Sequence, residues 1–210
     1  MKKSSATIFF SLILCIILLA PASCTGGQLE RFEETRSLMD TFVTVVIYAS
    51  PDTGQESIDA AFDRMEEIET IATTWDSEGE AYRLNETGCL ASPSEELSEL
   101  IETSLEYNEI TDGCFDITVQ PLLDLWEYDP EAEKQFWEMD ESDQLSEIDN
   151  AMKLVGSDHI ILDGNSIWLK EGSSITLGGI AKGYAADEAL QTLKSLGIKH
   201  ALINAGGDIR

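Results

Sequence analysis

Apolar residues recur along this chain with two different periods, and the changes of period divide it into elements. Met39, Phe42, Val43, Val45, Val46, Ile47 and Tyr48 crowd the stretch from Ser37 to Ala49, a β-branched and aromatic run that predicts one mostly buried strand. Pro51, Asp52 and Gly54 end it. Ile58, Phe62, Met65, Ile68 and Ala72 then fall three or four residues apart, so one face of a helix is apolar while Asp63, Glu66, Glu67 and Glu69 point outward. This helix is predicted to stop between Thr73 and Asp76. Ser92, Pro93 and Glu95 read as the N-cap, first-turn proline and capping-box acid of a second helix, with Leu97, Leu100, Ile101 and Leu105 as its buried stripe. Leu145, Ile148, Met152 and Val155 mark a third, stopped by Gly156.

Beyond Gly156 the period shortens. His159 to Leu162, Ser166 to Lys170 and Ser173 to Leu177 predict three short strands in an antiparallel meander, turning at Asp163-Gly164-Asn165 and Glu171-Gly172. A fourth helix is expected from about Ala181 to Leu196, stopped by Gly197, and a further strand from Ala201 to Asn204. Strand, three helices, hairpin strands, helix and strand is the order of an α+β fold with a mixed or antiparallel sheet packed by helices, and not of a doubly wound parallel sheet. No repeat at solenoid periods is present.

The first residues follow a different rule. Met1 to Ser23 holds Lys2 and Lys3, no acid, and an apolar run from Ile8 to Ala20 broken only by Ser11. That run is short for a bilayer span and has the form of an export signal. Ala22 and Ser23 before Cys24 resemble a lipoprotein cleavage box, with Pro21 where that motif usually has Leu. The expectation is a leader at 1–23, lipidation of Cys24, a polar tether over 24–36 and a folded domain over 37–210. Such a protein is exported and anchored on the outer face of the cytoplasmic membrane.

Charge narrows the function classes. The chain carries 13 Lys plus Arg against 40 Asp plus Glu, a net charge of −27. Nucleic-acid binding rests on basic groups displacing counterions, so that class is excluded. With 43% hydrophobic residues the chain still has the composition of a folding domain. Between Arg83 and Lys134 there are fourteen acids and no base, which reads as a solvated helix face, with a docking surface for a basic partner as the alternative. Cys89 and Cys114 sit without CxxC or metal-finger spacing. The sequence leaves open a disulfide between them and two separate buried thiols.

Three segments carry candidate chemistry. Thr176-Leu177-Gly178-Gly179-Ile180-Ala181-Lys182-Gly183-Tyr184 runs from a strand through a glycine corner into a helix with a first-turn lysine. Free helix-start amides, glycine and one cation suit a phosphate or pyrophosphate, although the spacing is neither Walker nor GxGxxG, and a plain turn is the alternative. Asp112-Gly113-Cys114-Phe115-Asp116-Ile117-Thr118, followed by Pro121, Leu122 and Trp126, sets a carboxylate beside aromatics. Its alternatives are a heterocycle or sugar contact and a loop with an Asx-turn and a core tryptophan. Asn204-Ala205-Gly206-Gly207-Asp208 is a third glycine turn at a strand end.

In this order, with Met39-Asp40-Thr41 and Thr74-Trp75-Asp76 before them, the segments resemble the FAD:protein FMN transferase (ApbE) family over nearly all of residues 37–210. That family has Met-Gly-Thr where this chain has Met39-Asp40-Thr41. Gly113, Phe115, Asp116, Thr118, Pro121 and Leu122 match its second motif, and Gly178 to Ala185 match its third without a gap. The resemblance implies Mg²⁺-dependent cleavage of FAD, with FMN passed through a phosphoester bond to a Thr or Ser of an acceptor protein and AMP released. The acceptor it implies is a membrane electron-transfer subunit of the Rnf or Nqr kind. It assigns Met39, Trp75, Cys114, Phe115, Asp116 and Lys182 to flavin-nucleotide contact, Lys182 to the phosphate charge, and the Gly179 carbonyl to Mg²⁺.

Two departures stand out. Thr176 occupies a position where the family usually has Asp, and the chain ends at Arg210, ahead of the Asp and following Thr or Ser that complete the family's metal site. The expectation is that residues 37–210 are the N-terminal part of a longer domain, with the remaining metal ligands beyond Arg210. The alternatives on the same fold are a non-catalytic flavin-binding lipoprotein and an FAD pyrophosphatase. No general base is assigned.

Overall fold

The structure, a computed structural model, describes residues 29–210; the leader, Cys24 and the first part of the tether lie outside the described residues. The rest of the expected tether is a strand. β1 (Glu30–Leu38) pairs antiparallel with β2 (Thr41–Ala49) along its whole length. Its polar residues alternate with inward ones: Phe32 packs against the core, and the Arg36 guanidinium lies 4.3 Å over the Phe62 ring while pairing with Glu34 and Asp59. A charged side chain thus covers apolar surface with its stem and keeps its head paired, which hides the strand from a count of apolar positions. Met39 and Asp40 form the two-residue turn, with φ of 53° and 57°, as a tight hairpin requires at both central positions. The single strand predicted from Ser37 is therefore the end of one strand and all of the next.

Val43, Val45, Ile47 and Ala49 of β2 point inward and are buried, whereas Phe42 and Tyr48 point outward. α1 (Gly54–Ala72) buries the expected stripe against them. α2 (Glu80–Thr87) and β3 (Cys89–Ala91) were not legible, since α2 buries only Ala81 and Leu84 and gives almost no period to detect. α3 (Glu95–Ile110) begins two residues later than expected: Ser94, not Ser92, is the N-cap, its hydroxyl accepting the Leu97 amide at 3.1 Å. A 3-10 turn (Ile117–Val119), α4 (Gln120–Asp124) and α5 (Glu141–Met152) follow. α5 buries only Ala151, and Leu145 and Met152 of its predicted stripe are exposed.

β4 (Ile160–Asp163) and β5 (Ser166–Leu169) form the expected hairpin and are joined by β3 in a three-stranded antiparallel sheet. Ser173 to Leu177, expected as the third meander strand, belongs to neither sheet and pairs otherwise. The Ile175 amide donates to Asn85 Oδ1 at 2.8 Å, Asn85 Nδ2 donates to the Ile175 carbonyl at 2.9 Å, and the Thr176 amide donates to the Ile117 carbonyl at 2.7 Å. A side-chain amide has taken the place of a neighbouring strand. α6 (Ala181–Ser195), β6 (Ala201–Ala205) and β7 (Asp208–Ile209) complete the described fold.

The other sheet runs β1-β2-β6-β7, antiparallel throughout. The α+β expectation therefore holds with antiparallel pairing, divided between two sheets. α1 and α6 cover the inner face of the four-stranded sheet, packing Phe62, Met65, Ala186 and Leu193 against Val45, Ile47 and Ile203. A second core gathers Leu84, Leu97, Ile101, Ile167, Ile175 and Leu177. Met39 and Tyr184 touch both cores, and Arg64 of α1 ties α6 and α3 together by pairing with Glu188 and with Glu96 at 2.9 Å. The candidate site lies where these two cores meet.

Candidate functional site

The corner between Leu177 and α6 is the site's centre. The Ile180 and Ala181 amides both donate to the Leu177 carbonyl, at 3.0 and 2.8 Å, closing the turn. The Thr176 hydroxyl accepts the Gly178 amide at 3.3 Å. Ile180, at the N-cap, offers no side-chain cap, so the first turn of α6 presents its amide dipoles outward. Lys182 stands in that turn, half-buried, and makes no ion pair with the described residues. Lys182 thus sets a cation at this corner of a strongly negative protein, with the carboxylates of Asp40 and Glu69 lining the same cavity.

Distant segments converge there. A cavity of about 130 Å³ is lined by Met39, Asp40, Glu69, Trp75, Thr176 and Lys182 among others. Met39 is fixed by its amide, which donates to Glu69 Oε1 at 2.7 Å. Trp75, just beyond α1, is 71% exposed, leaving an indole face free for stacking. Thr74 and Trp75 also line a larger space of about 630 Å³, bounded by Glu86, Asp124, Glu127 and Glu171. Burial and the neighbouring Asp124 push the Glu127 carboxyl above its ordinary range.

Phe115 and Gly179 lie on the other side of the corner, lining a cavity of about 320 Å³ with Tyr107, Tyr184, Asp187 and Asp208. The Phe115 amide donates to Thr111 Oγ1 at 3.0 Å, its carbonyl accepts from Asn108 Nδ2 at 2.8 Å, and Tyr107 meets its ring edge-on at 6.0 Å. A Cβ at position 179 would come within 3.2 Å of the Phe115 ring, so a larger residue there would require that ring to shift by a few tenths of an ångström. The Tyr184 hydroxyl donates to Glu99 at 2.8 Å. Burial, then Glu99, pushes that phenol upward, so it stays protonated.

The predicted residues thus divide into groups. Met39, Trp75 and Lys182 share one cavity, and Phe115 and Gly179 share the next. Cys114 and Asp116 line neither. Cys114 is exposed at the turn after α3. Asp116 is occupied within its own loop, where Oδ1 accepts the Thr118 amide at 2.8 Å and the Thr118 hydroxyl at 2.6 Å. That is the Asx-turn alternative. Thr118 in turn accepts the Gly156 amide at 2.8 Å. Trp126 is no core tryptophan, being 53% exposed against Phe136. Cys89 and Cys114 are both free, and neither is a buried thiol. The third glycine turn joins β6 to β7, and Gly206 packs on Thr41, where a Cβ would fall 2.6 Å from the hydroxyl. Reading Glu69 as an outward residue missed its part in the site. Its position beside Ile68, at the border of the apolar stripe, was the only signal.

A family profile described as the ApbE family matches residues 39–210, the span that contains every one of these segments. The chain belongs to the ApbE family. Its sequence is 26% identical over 200 residues to an FAD:protein FMN transferase of Haemophilus influenzae, covering 90% of this chain and 53% of the relative. With the FAD:protein FMN transferase of Vibrio cholerae the identity is 27% over 159 residues, covering 74% and 46%. The crystal structure of the ApbE protein of Thermotoga maritima superposes with a TM-score of 0.73 at 28% identity, covering 86% of this chain and 58% of that one. The flavin transferase ApbE from Vibrio cholerae gives 0.74 at 23% identity, with coverage of 87% and 59%, a likeness of fold. This ApbE-family chain spans about half the length of the curated relatives it matches.

Mg²⁺, which the family resemblance implies, finds a poor fit in these residues. Among the described residues no three His, Cys, Asp or Glu side chains come together to hold a metal. The Gly179 carbonyl is a single oxygen donor, and Mg²⁺ needs carboxylate or phosphate charge to offset its dehydration. Asp187, in the same cavity, is already paired with Arg210. No chemical step is assigned to the ion.

Proposed function

We propose that this chain forms the flavin-nucleotide side of an FAD:protein FMN transferase, which moves FMN from FAD to a Thr or Ser hydroxyl of an acceptor protein. In that reaction the hydroxyl oxygen bonds to the phosphorus on the FMN side of the pyrophosphate, the P–O bond to AMP breaks, and AMP leaves as the hydroxyl proton is lost. The observation that carries the reading is the convergence of Met39, Trp75 and Lys182, from a hairpin turn, a loop and a helix start, on one cavity beside the Gly178-Gly179 corner. Lys182 and the first-turn amides of α6 take the phosphates, since an ammonium and helix-start dipoles together favour anions in a low-dielectric cleft. The Trp75 indole supplies stacking area. The cavity of about 130 Å³ holds only part of a dinucleotide, and the larger neighbouring space begins at the same indole.

The reading extends to the setting. On this reading the protein is exported and held on the outer face of the cytoplasmic membrane by a lipid on Cys24, and its acceptor is a membrane electron-transfer subunit of the Rnf or Nqr kind. Supporting this are the apolar run and cleavage box of the first 24 residues.

The test is to incubate the protein with FAD, Mg²⁺ and a Thr-bearing acceptor and to follow AMP release and covalent flavin fluorescence of the acceptor in a denaturing gel. Transfer gives both signals. AMP without a fluorescent acceptor means hydrolysis, FAD binding without AMP means a binding protein, and no FAD binding contradicts the flavin reading altogether.

A further inference from the structure

Two walls of the candidate site hang from one residue. Glu69 lies in the last turn of α1, half-buried beside Ile68 of the apolar stripe. Its Oε1 accepts the amide of Met39, thirty positions earlier in the chain, at 2.7 Å, and so ties the β1–β2 turn to the helix. Its backbone carbonyl accepts the Thr73 amide at 2.9 Å, the bond that closes α1. The Thr73 hydroxyl in turn accepts the Trp75 amide at 3.2 Å, so the loop that carries the indole starts from the same helical turn. Met39, Glu69, Thr73 and Trp75 all line the cavity of about 130 Å³.

The chemistry of the cavity separates two uses for this carboxylate. As a ligand group it is poorly suited, because it repels the phosphates that Lys182, on the same cavity, is read to take. As an anchor for a backbone amide it is well suited, since an ionised acceptor bonds roughly twice as strongly as a neutral one. The side chain it anchors needs such a hold. Met39 is half-buried against both cores, but a methionine is long, unbranched and adaptable, so its place in the cavity is set by where its backbone is held.

Resting on the flavin-nucleotide reading above, we propose that Glu69 is a positioning residue of the site. It holds the Met39 turn at a fixed spacing from the Trp75 loop, so that both side chains meet one flavin nucleotide. Glu69 acts through the Met39 amide and touches no ligand atom. The role needs an acceptor oxygen at that point, which a Gln side chain also offers.

The experiment measures FAD binding and thermal melting for Glu69→Ala, Glu69→Gln, Met39→Ala and the Glu69→Ala/Met39→Ala pair. Glu69→Ala weakens FAD binding about tenfold and lowers the melting temperature, because the Met39 amide loses its acceptor. Glu69→Gln restores the affinity to within about threefold of the unsubstituted chain, its amide oxygen taking the same bond. The pair separates positioning from mere stability. With the Met39 side chain already removed, Glu69→Ala weakens binding by no more than about threefold further while the melting temperature still falls, a coupling in affinity that is absent from stability. Unchanged FAD affinity in Glu69→Ala, or equal losses of affinity with and without the Met39 side chain, overturns the proposal. So does a Glu69→Gln variant that melts normally and binds FAD as weakly as Glu69→Ala is expected to, an outcome that decides the matter even where the Ala variant does not fold. If the unsubstituted chain binds no FAD, it is the flavin reading that fails, and this inference falls with it.

Discussion

At the residue scale the account depends most on Lys182. Among the described residues its ammonium is the only cation lining the cavity that also holds Met39 and Trp75, and it makes no ion pair with them. Replacing it should therefore remove ligand charge without disturbing the fold. Lys182→Ala is expected to weaken FAD binding by about tenfold to a hundredfold, the range of a charge-assisted contact, and to leave the melting temperature within about 1 °C, as for a surface change that breaks no network. Isothermal titration with FAD beside a thermal melt checks both halves. Lys182 was legible in the sequence because glycine pair, corner and first-turn lysine are contiguous. Glu69 was not, since it acts through the Met39 amide, a backbone partner that residue type alone does not reveal; the Asx-turn that Asp116 makes with the Thr118 amide stood among the alternatives the sequence offered.

At the element scale, three helices are joined through one guanidinium. Arg64 on α1 pairs with Glu188 of α6, Glu96 of α3 and Glu67 of its own helix. Its partial burial disfavours the charge, but the three carboxylates more than offset this and hold its pKa above the ordinary value. Arg64→Met keeps the apolar stem and leaves three acids facing one another. The expected cost is about 2 kcal/mol, between the values for exposed and buried pairs, or roughly 4–8 °C in melting temperature.

The same cluster has a pH signature. The Glu96 carboxyl lies below its ordinary 4.5, first through the hydrogen bond from its own amide and, against burial, through Arg64. A depressed folded-state value means the stabilisation is complete above the ordinary value and is lost as pH falls through the folded one. Melting temperature should therefore fall below about pH 4.5 in the unsubstituted chain, and that fall should be shallower in Glu96→Gln. Equal slopes in a pH series of melts would remove Glu96 from the explanation.

The elements themselves were legible wherever an amphipathic period was long enough. α1, α3 and α6 were found because Ile58 to Ala72, Leu97 to Ile101 and Ala181 to Leu193 bury continuous stripes. β1 was lost because Arg36 and Glu34 occupy inward positions as a paired unit, and the Ser173–Leu177 strand was over-read because Asn85 satisfies its backbone instead. Both errors have one cause, namely a side chain performing a role that pattern rules assign to backbone or to apolar surface.

At the scale of the whole molecule, charge and site oppose each other. A net charge of −27 repels both itself and an anionic dinucleotide, and salt screens such repulsion over a distance of about 10 Å at 0.1 M. Raising salt from about 10 mM to about 0.5 M should raise the melting temperature, because self-repulsion in the compact state weakens; a flat or falling series would show that the charges are too far apart to matter. The two cores share Met39 and Tyr184, and the Gly178-Gly179 corner lies there between the cavities of Trp75 and Phe115.

The central claim is that a flavin dinucleotide binds at this corner, and hydrogen–deuterium exchange with and without FAD tests it most directly. Protection is expected in the segments 37–41, 73–76 and 176–184, distant in sequence and joined in the fold, with the acidic α5 unchanged. Protection confined to other segments, or none at saturating FAD, would contradict the account.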